Sequence, residues 1–399
     1  MAALVFAVAV SLAVLPIARA EAKTYTPVMP TPTRISGADR YQTAVAVAKE
    51  LYPSTASIVL IATGLDFPDA LAAAPIAAKL GGPLLLTAPG SLPPAVGAEL
   101  TSLDPSTVVL VGGSGAVSPA VASTISSLLP AATITRISGA DRYATARALV
   151  DYAFPNGASN VFLATGANFP DALAAAATAG AQGEPLILVN GSAGSIDNTT
   201  VTFLYSLAVT GVFVAGGGGS VSMSILNQVN KMGLLAGMAS EIDRYQTADA
   251  IASSAFGQIG SNALIATGTQ FPDALSAATL AAATHTPLYL STPTCIPEDT
   301  YDSIQIVTPK AVTLVGGTGA LSQGVANYAQ CATNHFDVTE NVDVVATKTN
   351  GNYSSTCVPG DKYYWFFQPF RGATVPGPVD FLWTYRVSGP NLIIYYCAS

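Results

Sequence analysis

Histidine is nearly absent from this sequence, and charged residues are scarce. The 399 residues include two His, His285 and His335, and contain no H-E-x-x-H or C-x-x-C pattern. A His-based zinc site or a Ser-His-Asp triad therefore has almost no material to draw on, and both His read as ordinary loop residues. No metal or cofactor is expected. Charged residues make up 10% of the chain, against roughly 25% in an average soluble domain. Lys and Arg number 16 against 24 Asp and Glu, giving a formal net charge of -8. No basic run is present to neutralise phosphates, which excludes a generic nucleic-acid binder. The hydrophobic content of 50% excludes a disordered chain, which cannot bury enough apolar surface to fold.

The N-terminal segment is expected to be an export signal. Residues 2–17 form an apolar run, and Ala18-Arg19-Ala20 has the small-x-small form of a cleavage site. No Lys or Arg precedes the run, a departure from the usual signal. The run is shorter than the roughly 20 residues of a spanning helix, and no later stretch is long and apolar enough to cross a bilayer. The expected mature protein is secreted and makes no membrane contact. All four Cys, Cys295, Cys331, Cys357 and Cys397, lie in the last third. Four Cys allow three pairings. In an oxidising compartment the sequence-local choice is Cys295–Cys331 with Cys357–Cys397.

Internal repetition is the strongest signal. Asp39-Arg40-Tyr41 recurs at Asp141-Arg142-Tyr143 and Asp243-Arg244-Tyr245, each time 102 positions on. Thr63-Gly64 recurs at Thr165-Gly166 and Thr267-Gly268, and Phe67-Pro68-Asp69 at Phe169-Pro170-Asp171 and Phe271-Pro272-Asp273, all at the same interval. A later glycine element, Gly112-Gly113, returns at Gly216-Gly217 and Gly316-Gly317. Units of about 100 residues are domain-sized. The expected organisation is a signal at 1–20, a linker at 21–33, modules at 34–128, 136–230 and 240–331, and a distinct tail at 335–399.

Within each unit, apolar residues at helical spacing alternate with short apolar runs. Ala44, Val47, Ala48 and Leu51 mark one helix face. Residues 58–62 read as a strand buried on both faces. Pro68 suits a first helical turn, Asp69 suits its positive end, and Gly81-Gly82 terminates it. Residues 133–137 read as the strand that opens the second unit. Alternating strands and helices predict parallel sheets covered on both faces. Ala-rich helices permit close backbone approach, so the predicted fold is three tandem α/β modules around a pseudo-threefold axis. The aromatic tail, with Trp365, Trp383 and an Asn350-Gly351 hairpin signal, is expected to be a small disulfide-linked β domain.

Ligands of open parallel sheets bind beyond the carboxyl ends of the strands. The repeated polar residues follow those ends: Arg34 and Arg40 after the first strand, Thr63 after the second, then Arg136, Arg142 and Thr165, then Arg244 and Thr267. Arg is scarce yet repeats in register, so these residues are candidates to hold a polyanionic or glycan polymer, with linked weak sites gaining avidity. The other reading of the arginines is a helix-start ion pair or packing between modules. Asp69, Asp171 and Asp273 are candidate helix-start residues. They can also be read as catalytic carboxylates of a hydrolase, which needs a base and an electrophile or metal, but Pro-Asp is an ordinary helix start and favours the capping reading.

The residues Arg34-Ile35-Ser36-Gly37-Ala38-Asp39-Arg40-Tyr41, Ala62-Thr63-Gly64, Phe67-Pro68-Asp69-Ala70-Leu71, Pro83-Leu84-Leu85-Leu86 and Leu110-Val111-Gly112-Gly113 resemble the cell wall-binding repeat 2 family. That module occurs in clostridial surface-layer-associated proteins and in some amidase-associated wall proteins. The resemblance spans roughly 300 residues. It implies a non-catalytic intramolecular pseudo-trimer that anchors to a cell wall by holding an anionic secondary wall polymer or a peptidoglycan-associated glycan. A wall hydrolase of amidase type is the alternative. The third copy departs from the pattern, with Met238-Ala239-Ser240-Glu241 where the others have Arg-Ile-Ser-Gly. Asp66 likewise becomes Asn168 and Gln270.

Overall fold

A computed structural model describes residues 29–256 and 262–331, together with the backbone of two strands at 381–388 and 391–398. The first repeat contributes β1 (Thr33–Ile35), α1 (Arg40–Leu51), β2 (Ile58–Thr63), α2 (Pro68–Leu80), β3 (Leu84–Thr87), α3 (Pro94–Leu103), β4 (Thr107–Val111) and α4 (Pro119–Leu128). The second contributes β5 (Thr133–Ile137), α5 (Arg142–Ala153), β6 (Asn160–Thr165), α6 (Pro170–Gln182), β7 (Leu186–Val189), α7 (Asn198–Ser206), β8 (Gly211–Ala215) and α8 (Met223–Lys231). The third contributes β9 (Leu235–Ala239), α9 (Arg244–Phe256), β10 (Ala263–Thr267), α10 (Phe271–Thr284), β11 (Leu288–Ser291), α11 (Glu298–Ile306), β12 (Val312–Val315) and α12 (Gln323–Ala326).

These strands make three four-stranded parallel sheets, ordered β3-β2-β4-β5, β7-β6-β8-β9 and β11-β10-β12-β1. The predicted α/β class and three-module architecture hold. The strand that opens each sequence repeat, however, completes the sheet of the repeat before it. β5 pairs with β4 in the register Val109↔Thr135, and β9 pairs with β8. β1, at the start of the chain, pairs with β12 through Arg34↔Leu314 and closes the third sheet. The cause is local. β5 and β9 each follow their neighbour through one short crossover helix and land on the adjacent open edge, and β1 takes the equivalent edge that the third sheet leaves open. The polar link after it, such as Ser138 to Asp141, then carries the chain across to the next module.

Local chemistry accounts for the helix ends. Asp39, Asp141 and Asp243 accept bonds from the backbone N–H three residues on, at 2.7–2.9 Å, a standard N-cap. Gly81 ends α2 in the left-handed region at φ 70°, where glycine costs nothing. The strands are buried on both faces, as their unbroken apolar runs require.

The three Ala-rich helices α2, α6 and α10 pack against one another at the centre. They are buried along nearly their whole length, and one continuous core runs through all three modules. Alanine permits this closeness, and Gly180 requires it: a Cβ there would overlap Ala282 and Pro75 of the two neighbouring helices. Smaller cores lie beneath the outer helices of the first and third modules. Cys295 and Cys331 form a disulfide that ties the loop before α11 to the chain beyond α12. β13 (Phe381–Ser388) and β14 (Asn391–Ala398) pair antiparallel, with Trp383 opposite Tyr396. The expected export signal, the Cys357–Cys397 bridge, the aromatic run at 363–367 and His335 lie outside the described residues.

Candidate functional site

The repeated motifs meet at one end of the central helices, beyond the carboxyl ends of the strands. α2, α6 and α10 begin around the pseudo-threefold axis, and Phe67, Phe169 and Phe271 form a triangle there with ring centroids 5.9–6.0 Å apart. An arginine from a different repeat lies over each ring. Arg142 sits 5.7 Å from the Phe67 centroid, Arg244 6.0 Å from Phe169 and Arg40 5.9 Å from Phe271. Such cation–π contacts contribute about 0.5–1 kcal/mol each at partly exposed sites.

Each arginine also donates from Nη1 to a carbonyl of its own repeat: Arg40 to Gly64 at 2.7 Å, Arg142 to Gly166 at 2.7 Å and Arg244 to Gly268 at 2.8 Å. The tyrosine that follows packs on the same glycine. A Cβ on Gly64, Gly166 or Gly268 would lie 2.7–2.9 Å from Cε1 of Tyr41, Tyr143 or Tyr245. The Asp-Arg-Tyr and Thr-Gly motifs thus form one unit. Asp caps the helix, Arg binds the glycine carbonyl, and Tyr covers the glycine.

The opening arginines hold the glycine turns. Arg34 Nη1 donates to the Gly316 carbonyl at 2.6 Å, and Arg136 Nη1 to that of Gly112 at 2.8 Å. Gly112, Gly216 and Gly316 have φ of 98°, 103° and 128°. The carboxylates of Asp69, Asp171 and Asp273 fill the space where their Cβ atoms would stand. Glycine is needed there on both counts. The third copy places Met238 where the others have arginine, so the Gly216 turn has no such clamp, and Met238 is exposed.

The aspartates lie in the first turn of the central helices without serving as caps, since Phe67, Phe169 and Gln270 occupy those positions with no side-chain capping bond. Burial raises the pKa of all three above the usual carboxylate range. Asp66 adds to the rise at Asp69, while Arg142 and a hydrogen bond with Thr145 oppose it. At Asp171 the opposing partners are Ser220, whose hydroxyl donates at 2.5 Å, and Arg244. At Asp273 they are Thr43 and Arg40, with Asp39 adding to the rise.

The expected role of the threonines does not fit their surroundings. Thr63, Thr165 and Thr267 are at most 4% exposed. Their hydroxyls accept backbone bonds two residues on, from Leu65, Ala167 and Thr269. They shape the turn and are out of reach of a polymer. Arg40, Arg142 and Arg244 pack between modules, as one of the two readings expects, and remain half-exposed. The phenylalanine triangle was not singled out from the sequence, although its in-register recurrence carried the signal.

Three tandem α/β modules with these motifs define the class, a cell wall-binding protein. The model of the family described as cell wall binding domain 2 matches residues 34–122, 136–226 and 240–326, and the chain belongs to that family. It is 31% identical over 294 residues to the N-acetylmuramoyl-L-alanine amidase LytC of Bacillus subtilis, covering 74% of this chain and 57% of that protein. It is 25% identical over 295 residues to the amidase enhancer of the same organism, covering 74% and 39%. The chain therefore spans about half the length of these curated relatives. Among solved structures, Cwp6 from Clostridium difficile superposes with a TM-score of 0.67 at 26% identity, covering 75% of this chain and 48% of that one. Among the described residues no helix is long and apolar enough to cross a membrane.

Proposed function

We propose that the protein is exported and anchors non-covalently to the cell wall by holding an anionic secondary wall polymer at the axial face of its three modules. The observation that carries this reading is the convergence of Arg40, Arg142 and Arg244 around one axis. Each is held in place by a glycine carbonyl and a phenylalanine ring and each is still half-exposed. A chain with so few cations places three of them within one small face, at the positive ends of three helices. Held guanidiniums bind phosphate or carboxylate groups at small conformational cost. The polymer is the repetitive partner that three linked sites suit. The Cys295–Cys331 disulfide accords with an oxidising, extracellular setting.

The match to an amidase favours one second reading, a wall hydrolase or its modifier. Two assays separate them. Retention on intact walls, lost on walls stripped of anionic polymer, supports anchoring. Clearing zones in a wall zymogram support hydrolysis.

A further inference from the structure

The three axial sites share a plan but differ in charge. Each has a glycine turn, a phenylalanine, an aspartate beneath, and an arginine preceded by its capping aspartate. At the Gly112 turn, Arg136 and Arg142 face Asp69 and also Asp66, whose carboxylate lies 3.8 Å from Arg142. At the Gly216 turn only Arg244 remains, because Met238 replaces the clamp, and the adjoining link carries an extra carboxylate, Glu241. At the Gly316 turn, Arg34 and Arg40 are both present and Gln270 stands where Asp66 stands in the first site. Neither Arg34 nor Arg40 makes an ion pair among the described residues. With the capping aspartates common to all three, the Gly316 site is one unit of charge more positive than the Gly112 site. Its margin over the Gly216 site is larger while Glu241 is ionised.

We infer that the Gly316 site, where β1 closes the third sheet, is the principal anion site, taking a phosphodiester or carboxylate group between Arg34 and Arg40. The inference rests on the anionic-polymer reading and narrows it to one site of three. Both guanidiniums border the same small feature. Arg34 binds the Gly316 carbonyl, Asp273 packs beneath that glycine, and Arg40 lies over the ring of Phe271, two residues before Asp273 on α10. An anion there bridges a residue of β1 to the start of α1, so ligand binding also fastens the strand that closes the ring. At the Gly112 site, Asp66 occupies part of the guanidinium that an incoming anion needs. Two unlike-charged exposed groups bind each other weakly, but a fixed carboxylate repels an anion whether or not it is bound.

The test is calorimetric titration of the full chain with soluble poly(glycerol phosphate), with uncharged dextran as control. Arg40→Ala is expected to weaken binding about tenfold, a usual loss for a charge-assisted contact, and Arg142→Ala and Arg244→Ala by less than about threefold. Gln270→Asp copies Asp66 into the Gly316 site at an exposed position and is expected to match Arg40→Ala without lowering the melting temperature, since Asp at the N-cap of α10 favours the helix. Asp66→Asn is expected to open a second site and raise the stoichiometry. Equal losses from the three arginine variants, or a Gln270→Asp chain that binds like wild type, overturn the inequality and leave the polymer reading standing. A wild-type chain that ignores poly(glycerol phosphate) overturns the polymer reading and this inference with it.

Discussion

The centre of the molecule repeats almost without change, and the periphery does not. At the axis, each of the three modules supplies the same Phe-Pro-Asp helix start, the same arginine on a neighbour's ring and the same glycine turn. On the outside, three equivalent helix contacts have become three different interactions. Between α1 and α3 the equivalent pair is apolar, Val45 and Val96 buried in one cluster, and one turn along Lys49 lies 3.7 Å from the buried carboxylate of Glu99. Between α5 and α7 it is ionic, with Arg147 donating to Thr200 at 2.7 Å and 3.8 Å from Asp197. Between α9 and α11 it is acidic, with Thr300 donating to Asp249 at 2.9 Å while the other Asp249 oxygen is buried without a partner among the described residues. A central residue touches both other modules, so a change there must suit two partners at once. An outer pair answers only to itself.

Four variants test that contrast. Gly180→Leu should have the largest effect. It forces a side chain between three packed helices, and overpacking of this kind costs about 3 kcal/mol. Denaturant unfolding should show the loss across all three modules in one transition, whereas separate transitions would deny the shared core. Phe169→Ala comes next. It removes two ring contacts and one cation–π contact, each worth about 0.5–1.5 kcal/mol, and the same titration should show a loss near 2 kcal/mol. Peripheral changes should be smaller. Replacing Asp249 and Thr300 together by Val copies the first module and removes a buried unpaired oxygen, so stability at neutral pH should rise by about 1 kcal/mol.

The smallest effect is a pH slope. Burial and the neighbouring Asp299 push the Glu241 pKa up to about 7. A carboxyl raised in the folded state contributes stability that is complete below its unfolded value near 4.5 and is lost as pH rises through about 7. The buried Asp249, raised chiefly by desolvation with Asp299 and Asp243 adding, acts in the same direction. The melting temperature should therefore be higher at pH 5 than at pH 8, and Glu241→Gln should reduce the difference. An unchanged slope in that variant would show that Glu241 is not a source of it.

Much of this was legible in the residues. The interval of 102 placed Asp-Arg-Tyr, Thr-Gly and Phe-Pro-Asp in register three times, helix caps marked elements in each copy, and glycine ended the central helix in the first two, with His285 in that place in the third. Runs of alanine announced a close-packed centre. The exchange of opening strands was not legible. Residues 33–35 have no feature that distinguishes pairing with β12 from pairing within their own repeat, because the partner of a short edge strand is chosen by which edge lies open in space. The burial of Thr63 and its equivalents was hidden for a similar reason. A threonine after a strand faces a ligand or its own turn with equal chemical ease, and only burial decides. The arginine on its neighbour's phenylalanine joins residues 75 positions apart in Arg142 and Phe67, and its partner is invisible until the three modules are assembled.

The account stands on the axial arginines as the contact with the wall. Its most direct test is retention of the purified protein on intact walls and on walls stripped of anionic polymer, for wild type and for the variant with Arg40, Arg142 and Arg244 all changed to Ala, each checked for cooperative unfolding. Wild type should bind intact walls alone, and the folded triple variant should stay in the supernatant of both. Equal retention of a folded triple variant on both wall preparations would contradict it and direct attention to peptidoglycan or to the C-terminal tail as the point of attachment.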